Sequence, residues 1–235
     1  MKTLRNSSLI TLVIVALALL VAAPVAYADS ETFTATITPN PTNFSGVTTT
    51  LPQFDPSLGT LTSVTVTLNG NGVTDITATE TADIATMVST LLTNVGLTLT
   101  DVSVGLNLSE SMTGQPLVGG NPISITNPLL IAALGHYDSG SLALMGTQTD
   151  QVFGGLSGFI GLGDLTFDLA GNALTTQSFS GGNLNTTQAT SAGGGVTITY
   201  DYDTGNVPEP GTLSLFGTGL LGLAGMLRSR FGKAR

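Results

Sequence analysis

The placement of positive charge constrains this chain more than any other feature. Its Lys and Arg residues are Lys2, Arg5, Arg228, Arg230, Lys233 and Arg235, all within a few positions of one end or the other. No Lys or Arg occurs between residues 6 and 227, whereas acids run from Asp29 to Glu209. A typical domain surface mixes both signs. This body cannot make a single Lys or Arg ion pair, and its field is negative throughout. Nucleic acid is excluded as a partner, because binding it needs a basic footprint to displace phosphate counterions. Anionic lipid is repelled for the same reason, while cations and neutral ligands suit the field. The chain also has no Cys. Its fold must therefore rest on an apolar core, without disulfides.

Each cationic tip borders an apolar run. Lys2 and Arg5 precede the run from Leu9 to Ala23, Pro24 breaks it, and Ala26-Tyr27-Ala28 follows with small residues at the positions a signal peptidase reads. This is the order of a secretory signal peptide over residues 1–28, so cleavage after Ala28 would leave Asp29 as the first mature residue. The run falls short of the roughly 20 apolar residues that a stable span needs. At the other end, Val207-Pro208-Glu209-Pro210-Gly211 precedes an uncharged, Gly-rich apolar segment, residues 212–227, and a basic tail, residues 228–235. As a helix that segment would reach about 24 Å, a marginal span. Both cationic tips stay on the cytoplasmic side by the positive-inside rule. Two such segments then place everything between them outside.

The C-terminal order of Pro208-Glu209-Pro210, short apolar helix and Arg-rich tail resembles the PEP-CTERM sorting signal. The resemblance covers residues 207–235. It implies an exosortase, a membrane-embedded transpeptidase-like enzyme, that recognises Pro208, Glu209 and Pro210 and removes the helix. It also implies a Gram-negative bacterium that makes exopolysaccharide. The two prolines fit a protease substrate physically, since they keep the peptide around Glu209 extended. On this reading the chain passes through an inner-membrane intermediate and contacts the membrane only transiently, through its C-terminal helix.

The segment between the signals, residues 29–206, is roughly 180 residues long, enough for one domain with a sizeable core. Several stretches alternate with period two. Phe33, Ala35 and Ile37 share one face, with Thr on the other, and Val64, Val66 and Leu68 repeat the device. Further alternation falls at residues 97–99, 102–104, 106–108, 165–169 and 196–202. Alternation of this kind marks half-buried antiparallel strands. Gly and Asn clusters at residues 69–72, 181–183 and 193–195 read as turns. The expected fold is all-β, an antiparallel sandwich or jelly-roll-like ectodomain. Residues 82–93 fit either a strand or one short helix.

The run from Leu51 to Val64, with Phe54-Asp55-Pro56-Ser57-Leu58-Gly59 at its centre, resembles the start of choice-of-anchor E ectodomains, over about residues 31–70. That group implies a surface module and no particular activity. The residues also have a local reading. Asp55 caps a turn, Pro56 fixes its corner, Gly59 supplies a positive φ, and Phe54 and Leu58 point inward.

Catalytic chemistry is sparsely supplied. A nucleophile needs a base and an orienting partner, and the body holds only one His, no Cys and no Lys. His136 reads as a solvated loop residue. Asp164 and Asp168 share a face of a strand, as do Asp201 and Asp203, but glycosidase sites usually add aromatic platforms and Arg contacts to such pairs. The body has neither Trp nor Arg. No enzymatic activity and no obligatory cofactor are expected. Calcium is the one candidate ion. Asp201-Tyr202-Asp203-Thr204-Gly205-Asn206 offers alternating oxygens before a Gly, without the distal Glu of a complete loop. The Asn-X-Ser/Thr triplets at Asn43, Asn107 and Asn185 are no more than chance in this composition. The expected protein is an exported surface or matrix component, handled by signal peptidase and exosortase and associated with exopolysaccharide. The alternative is a carbohydrate-binding or adhesive module, with Asp201 and Asp203 as a calcium site.

Overall fold

The computed structural model describes residues 28–204, together with Gly217 and Gly219, which are helical. The expected signal peptide, apart from Ala28, lies outside the described residues. So do Ala26, Pro208, Glu209, Pro210, the rest of segment 212–227 and the basic tail. No helix among the described residues is long and apolar enough to cross a membrane. Residues Asp29–Tyr202 form one compact unit.

That unit is built from strands. In chain order they are β1 (Ala28–Pro41), β2 (Phe44–Pro52), β3 (Thr60–Glu80), β4 (Thr86–Asp101), β5 (Leu106–Gly114), β6 (Leu117–Val118), β7 (Asn121–Pro122), β8 (Leu129–Ile131), β9 (His136–Asp138), β10 (Leu142–Val152), β11 (Asp164–Ser180) and β12 (Leu184–Asp203). A single 3-10 turn, Leu156–Phe159, precedes β11. One sheet has the order β1-β12-β3-β10, with β9 also on β3; the other has β2-β11-β4-β5, with β8 on β4. The order nests four pairs, β1 with β12, β2 with β11, β3 with β10 and β4 with β5. It is one long hairpin rolled over on itself, the pairing of a jelly roll, and it satisfies the expected fold class.

The alternation that suggests strands also sets their faces. Ile37 in β1, Val64, Val66 and Leu68 in β3, Val95, Leu97 and Leu99 in β4, Leu165, Phe167 and Leu169 in β11, and Val196, Ile198 and Tyr200 in β12 join one buried cluster between the sheets. A second cluster, Ile76, Ala78, Val88, Leu91, Ile123, Ile131 and Leu184, occupies the opposite half. We call these halves basal and distal. The basal half holds the loops β2–β3, β4–β5 and β10–β11; the distal half holds the turn β3–β4 and the hairpin β11–β12.

Several local expectations need correction. Asn69-Gly70-Asn71-Gly72 is not a turn but the middle of β3, and Gly193-Gly194-Gly195 lies inside β12. Close approach explains both. A Cβ on Gly70 would sit 3.0 Å from both Leu97 Cδ1 and Met112 Sδ, and one on Gly193 would sit 2.6 Å from Ile37 O. Small residues are needed there because backbones or facing side chains come near. Val102-Ser103-Val104 is the turn between β4 and β5, not a strand. Residues 82–93 contain no helix, since β4 begins at Thr86. The Asp55 turn forms as expected, with Ser57 N donating to Asp55 Oδ1 at 2.8 Å and Gly59 at φ 156°. Phe54 is fully buried, but Leu58 is not inward; it is 38% exposed at the loop tip.

Candidate functional site

Residue parity turns the polar half of each strand outward, so both outer faces are lined with hydroxyls and amides. On the β1-β12-β3-β10 face the hydroxyls bond across strands: Thr32 to Thr199 at 3.0 Å, Thr34 to Thr197 at 3.1 Å, Thr67 to Thr149 at 3.0 Å and Thr77 to Thr187 at 2.6 Å. Cross-strand Thr pairs of this kind stabilise a sheet modestly and hold its hydroxyls in fixed positions. The other face mixes Thr48, Thr50, Thr98, Thr100, Asn94 and Asn107 with two acids, Asp164 and Asp168, the latter accepting from Gly46 N at 3.2 Å. Asp164 and Asp168 share that face, as their spacing implies, and both outer faces are free of Lys and Arg.

The residues singled out in sequence are placed as follows. Asp201 Oδ2 accepts from Ser63 Oγ at 2.7 Å, and its carbonyl accepts from Thr62 Oγ1 at 2.8 Å. Asp203 closes β12 and is exposed. Among the described residues no three His, Asp or Glu side chains converge as they would around a metal ion. His136 is exposed as expected but is not a loop residue. It belongs to β9 and pairs with Thr79 of β3, its Nδ1 lying 3.1 Å from Thr79 Oγ1. A shallow depression of about 560 Å³ is lined by Asn121, Pro122, Ser124, Thr126 and Asn127. Asn127 Nδ2 spends its hydrogens on the carbonyls of Val118, Asn121 and Pro122, so it shapes this loop from within.

Three carboxylates that sequence reading missed are drawn into the fold. Glu80, 1% exposed, ends the inward series Ile76, Ala78, Glu80 of β3. Its Oε1 accepts from Ala82 N and Asn183 N, each at 2.6 Å, and its Oε2 accepts from Thr86 Oγ1. Burial acts to raise its pKa, but the hydrogen bonds from Thr86, Asn183 and Ala82 prevail and hold it below the usual value. Asp101, 3% exposed, accepts from Ser103 N at 2.8 Å and from Ser103 Oγ at 2.5 Å, and its Oδ2 has no partner. Asp75 faces Asp138 across β3 and β9, and its Oδ1 is buried without a partner. Strand parity could have flagged Glu80 and Asp101, because each continues an apolar face. Nothing local flags Asp75, since its partner lies on another strand.

The basal half is ordered by aromatic packing. Tyr200 and Tyr202 meet Phe54 at ring-centroid distances of 5.8 and 5.1 Å, and Tyr200 meets Phe33 at 6.2 Å. Tyr200 donates its hydroxyl to Pro52 O at 2.8 Å. Burial, with the nearby Glu31 charge, pushes the Tyr200 phenol well above its usual pKa, so it stays a donor.

Residues 206–230 match the PEP-CTERM protein-sorting motif. The chain thus carries a C-terminal sorting signal of a secreted protein, of the kind generally handled by exosortase and tied to the surface of a Gram-negative bacterium. No curated protein matches the chain. Among solved structures, similarity is found to the STIV MCP, at 12% identity and a TM-score of 0.23 over 74% of this chain and 48% of that one. The T13 IBDV viral particle gives 13% identity and a TM-score of 0.21 over 75% and 36%. The infectious bursal disease virus VP2 subviral particle gives 12% identity and a TM-score of 0.19 over 89% and 50%. The chain spans half or less of each of these.

Proposed function

We propose that the protein is a structural component of the extracellular matrix, exported, held briefly in the inner membrane, cut near Pro208-Glu209-Pro210 and then retained with exopolysaccharide. The observation that carries this reading is the sorting motif at residues 206–230, which follows directly on the last strand of the folded body, ending at Asp203. The body supports it by what it offers outside: ordered hydroxyls and amides, no Lys or Arg, and no convergent catalytic group among the described residues. Neutral and acidic glycans differ sharply for such a surface. An anionic polymer is repelled by a field with no counter-charge, so the partner is a neutral, hydroxyl-rich polysaccharide engaged through many weak hydrogen bonds. The resemblance of residues 31–70 to choice-of-anchor E ectodomains points the same way, toward a surface module.

The test replaces Pro208, Glu209 and Pro210 with Ala in the producing cell and follows the chain by fractionation. The native protein is expected with the extracellular polysaccharide, and the triple variant in the inner membrane. Equal distribution of both would contradict the reading.

A further inference from the structure

The loop between β10 and β11, at the basal end, is unlike the rest of the chain in composition. Residues 153–163 read Phe153-Gly154-Gly155-Leu156-Ser157-Gly158-Phe159-Ile160-Gly161-Leu162-Gly163, with no charge and a single hydroxyl. Part of its apolar content serves the fold: Phe159 is buried, and Leu156 packs against the main cluster. The rest faces solvent. Phe153 is 71% exposed and Leu162 85%, and Val102, in the neighbouring β4–β5 turn, is 94% exposed.

The backbone fixes this loop in place. Phe54 N donates to Phe159 O at 2.9 Å, Gly161 N donates to Phe54 O at 3.0 Å, and Gln53 N donates to Gly163 O at 2.9 Å. Gln53 Nε2 donates to Gly158 O at 2.9 Å. A Cβ on Gly158 would meet Val104 Cγ1 at 2.9 Å, so the β4–β5 turn lies directly against the loop. None of these contacts uses the side chains of Phe153, Leu162 or Val102.

Exposed apolar side chains occur at the distal end as well, Ile125 and Leu134 among them. Exposure alone therefore decides nothing; the point where the chain leaves the body does. β12 runs out at the basal end, where the Tyr202 ring meets Phe54, the residue on which the loop is strung, at 5.1 Å. Residues 203–211 are all that separates Tyr202 from the apolar segment 212–227. Fully extended, that link reaches at most about 30 Å. The distal end lies at the far end of β3, whose 21 residues extend up to about 70 Å at ~3.3 Å per residue.

We propose that the basal loops are a membrane-seating face: in the anchored precursor Val102, Phe153 and Leu162 enter the interface of a zwitterionic lipid leaflet and hold the body upright on it. This rests on the membrane-held intermediate proposed above and adds a second contact to it. The loop tips carry no charge, but Asp55, Asp164, Asp201 and Asp203 flank them, so anionic lipid is disfavoured. Three apolar side chains bind a bilayer weakly by themselves, as a single lipid chain does. The tether makes the contact intramolecular, at a high effective concentration. Cleavage near Pro208-Glu209-Pro210 removes the tether, and the seat alone then lets the body go.

The chain has no Trp, so single Trp substitutions report position. The full chain is reconstituted into phosphatidylcholine vesicles, and flotation establishes that it is held. Val102→Trp and Leu162→Trp should lose most of their emission when the lipid is brominated high on its acyl chains, whereas Ile125→Trp at the distal end should keep it. Adding Phe153→Asp and Leu162→Asp to Val102→Trp should restore its emission to the Ile125→Trp level, because the tether remains but the seat does not. All of these positions are exposed, so the fold does not depend on them. A chain that floats with its basal Trp unquenched overturns the seat alone. So does quenching that survives the Asp substitutions, or that is equal at Ile125→Trp. A chain that does not float removes the intermediate on which the seat stands.

Discussion

In the basal half, Phe54, Phe159, Phe167, Tyr200 and Tyr202 fill the space between the sheets, and the hydrogen bonds there, Tyr200 to Pro52 O, Gln53 to Gly158 O and Ser103 to Asp101, tie loops around that aromatic core. The fully buried apolar cluster of the distal half is aliphatic, and its end is tied by a carboxylate, Glu80, that gathers donors from the turn β3–β4, the start of β4 and the hairpin β11–β12. Between them lies a polar layer. Thr74 Oγ1 meets Thr190 Oγ1 at 2.6 Å and donates to Thr93 Oγ1 at 3.5 Å; Thr93 meets Thr175 at 3.4 Å; Thr175 donates to Gln188; and Gln188 Nε2 returns to Thr190 Oγ1 at 2.6 Å. The ring spans β3, β4, β11 and β12. The contrast teaches how a chain without ion pairs or disulfides closes a long sandwich. At the basal end aromatic packing and a buried carboxylate, Asp101, act together; at the distal end aliphatic packing is joined by Glu80, whose donors come from two different connections.

The largest way to sharpen the comparison is to empty the basal core. Phe167→Ala should cost about 3–5 kcal/mol in urea unfolding, because a fully buried ring leaves a cavity that two paired sheets cannot close. A loss no larger than that of an exposed substitution would break the assignment of stability to that half.

The distal half should answer to pH instead. Glu80 has a folded pKa below its usual 4.5, so its contribution is present above that value and is lost as pH falls through the lower, folded one. Glu80→Gln should lower the melting temperature at pH 7 and flatten its decline below pH 4.5. A variant with an acid limb as steep as the native one would show that Glu80 does not tie this end.

The smallest effect concerns the layer between the halves. Thr74→Val keeps the side-chain shape and removes the hydroxyl that meets Thr190 and Thr93, for a cost of about 1 kcal/mol. A stabilising result would make the ring dispensable.

The architecture was legible because alternation is a direct consequence of strand geometry. Phe33, Ala35 and Ile37, or Val196, Ile198 and Tyr200, point to one side whatever the topology, and a sandwich is the way to bury so many such faces. The misreadings share a cause. Gly and Asn between residues 69 and 72 look like a turn because turns and close approaches both favour residues without bulk, and only the facing Leu97 and Met112 decide between them. His136 looked like a loop residue because its strand is three residues long and exists only by pairing with β3. Glu80 continues the inward parity of Ile76 and Ala78, which marks it as buried, but what satisfies it there includes Asn183 N from the distant β11–β12 hairpin, which no local pattern encodes. The sorting ends were legible for the opposite reason. Charge, apolar run and small or proline residues are read by other proteins as linear sequence, so their meaning does not wait on a fold.

Intact mass spectrometry of the chain recovered from outside the producing cell tests the sorting claim most directly. A species beginning at Asp29 and lacking the apolar segment 212–227 and the basic tail is the expected result. A chain that carries residues 1–28 and 212–235 there would contradict the account at its root.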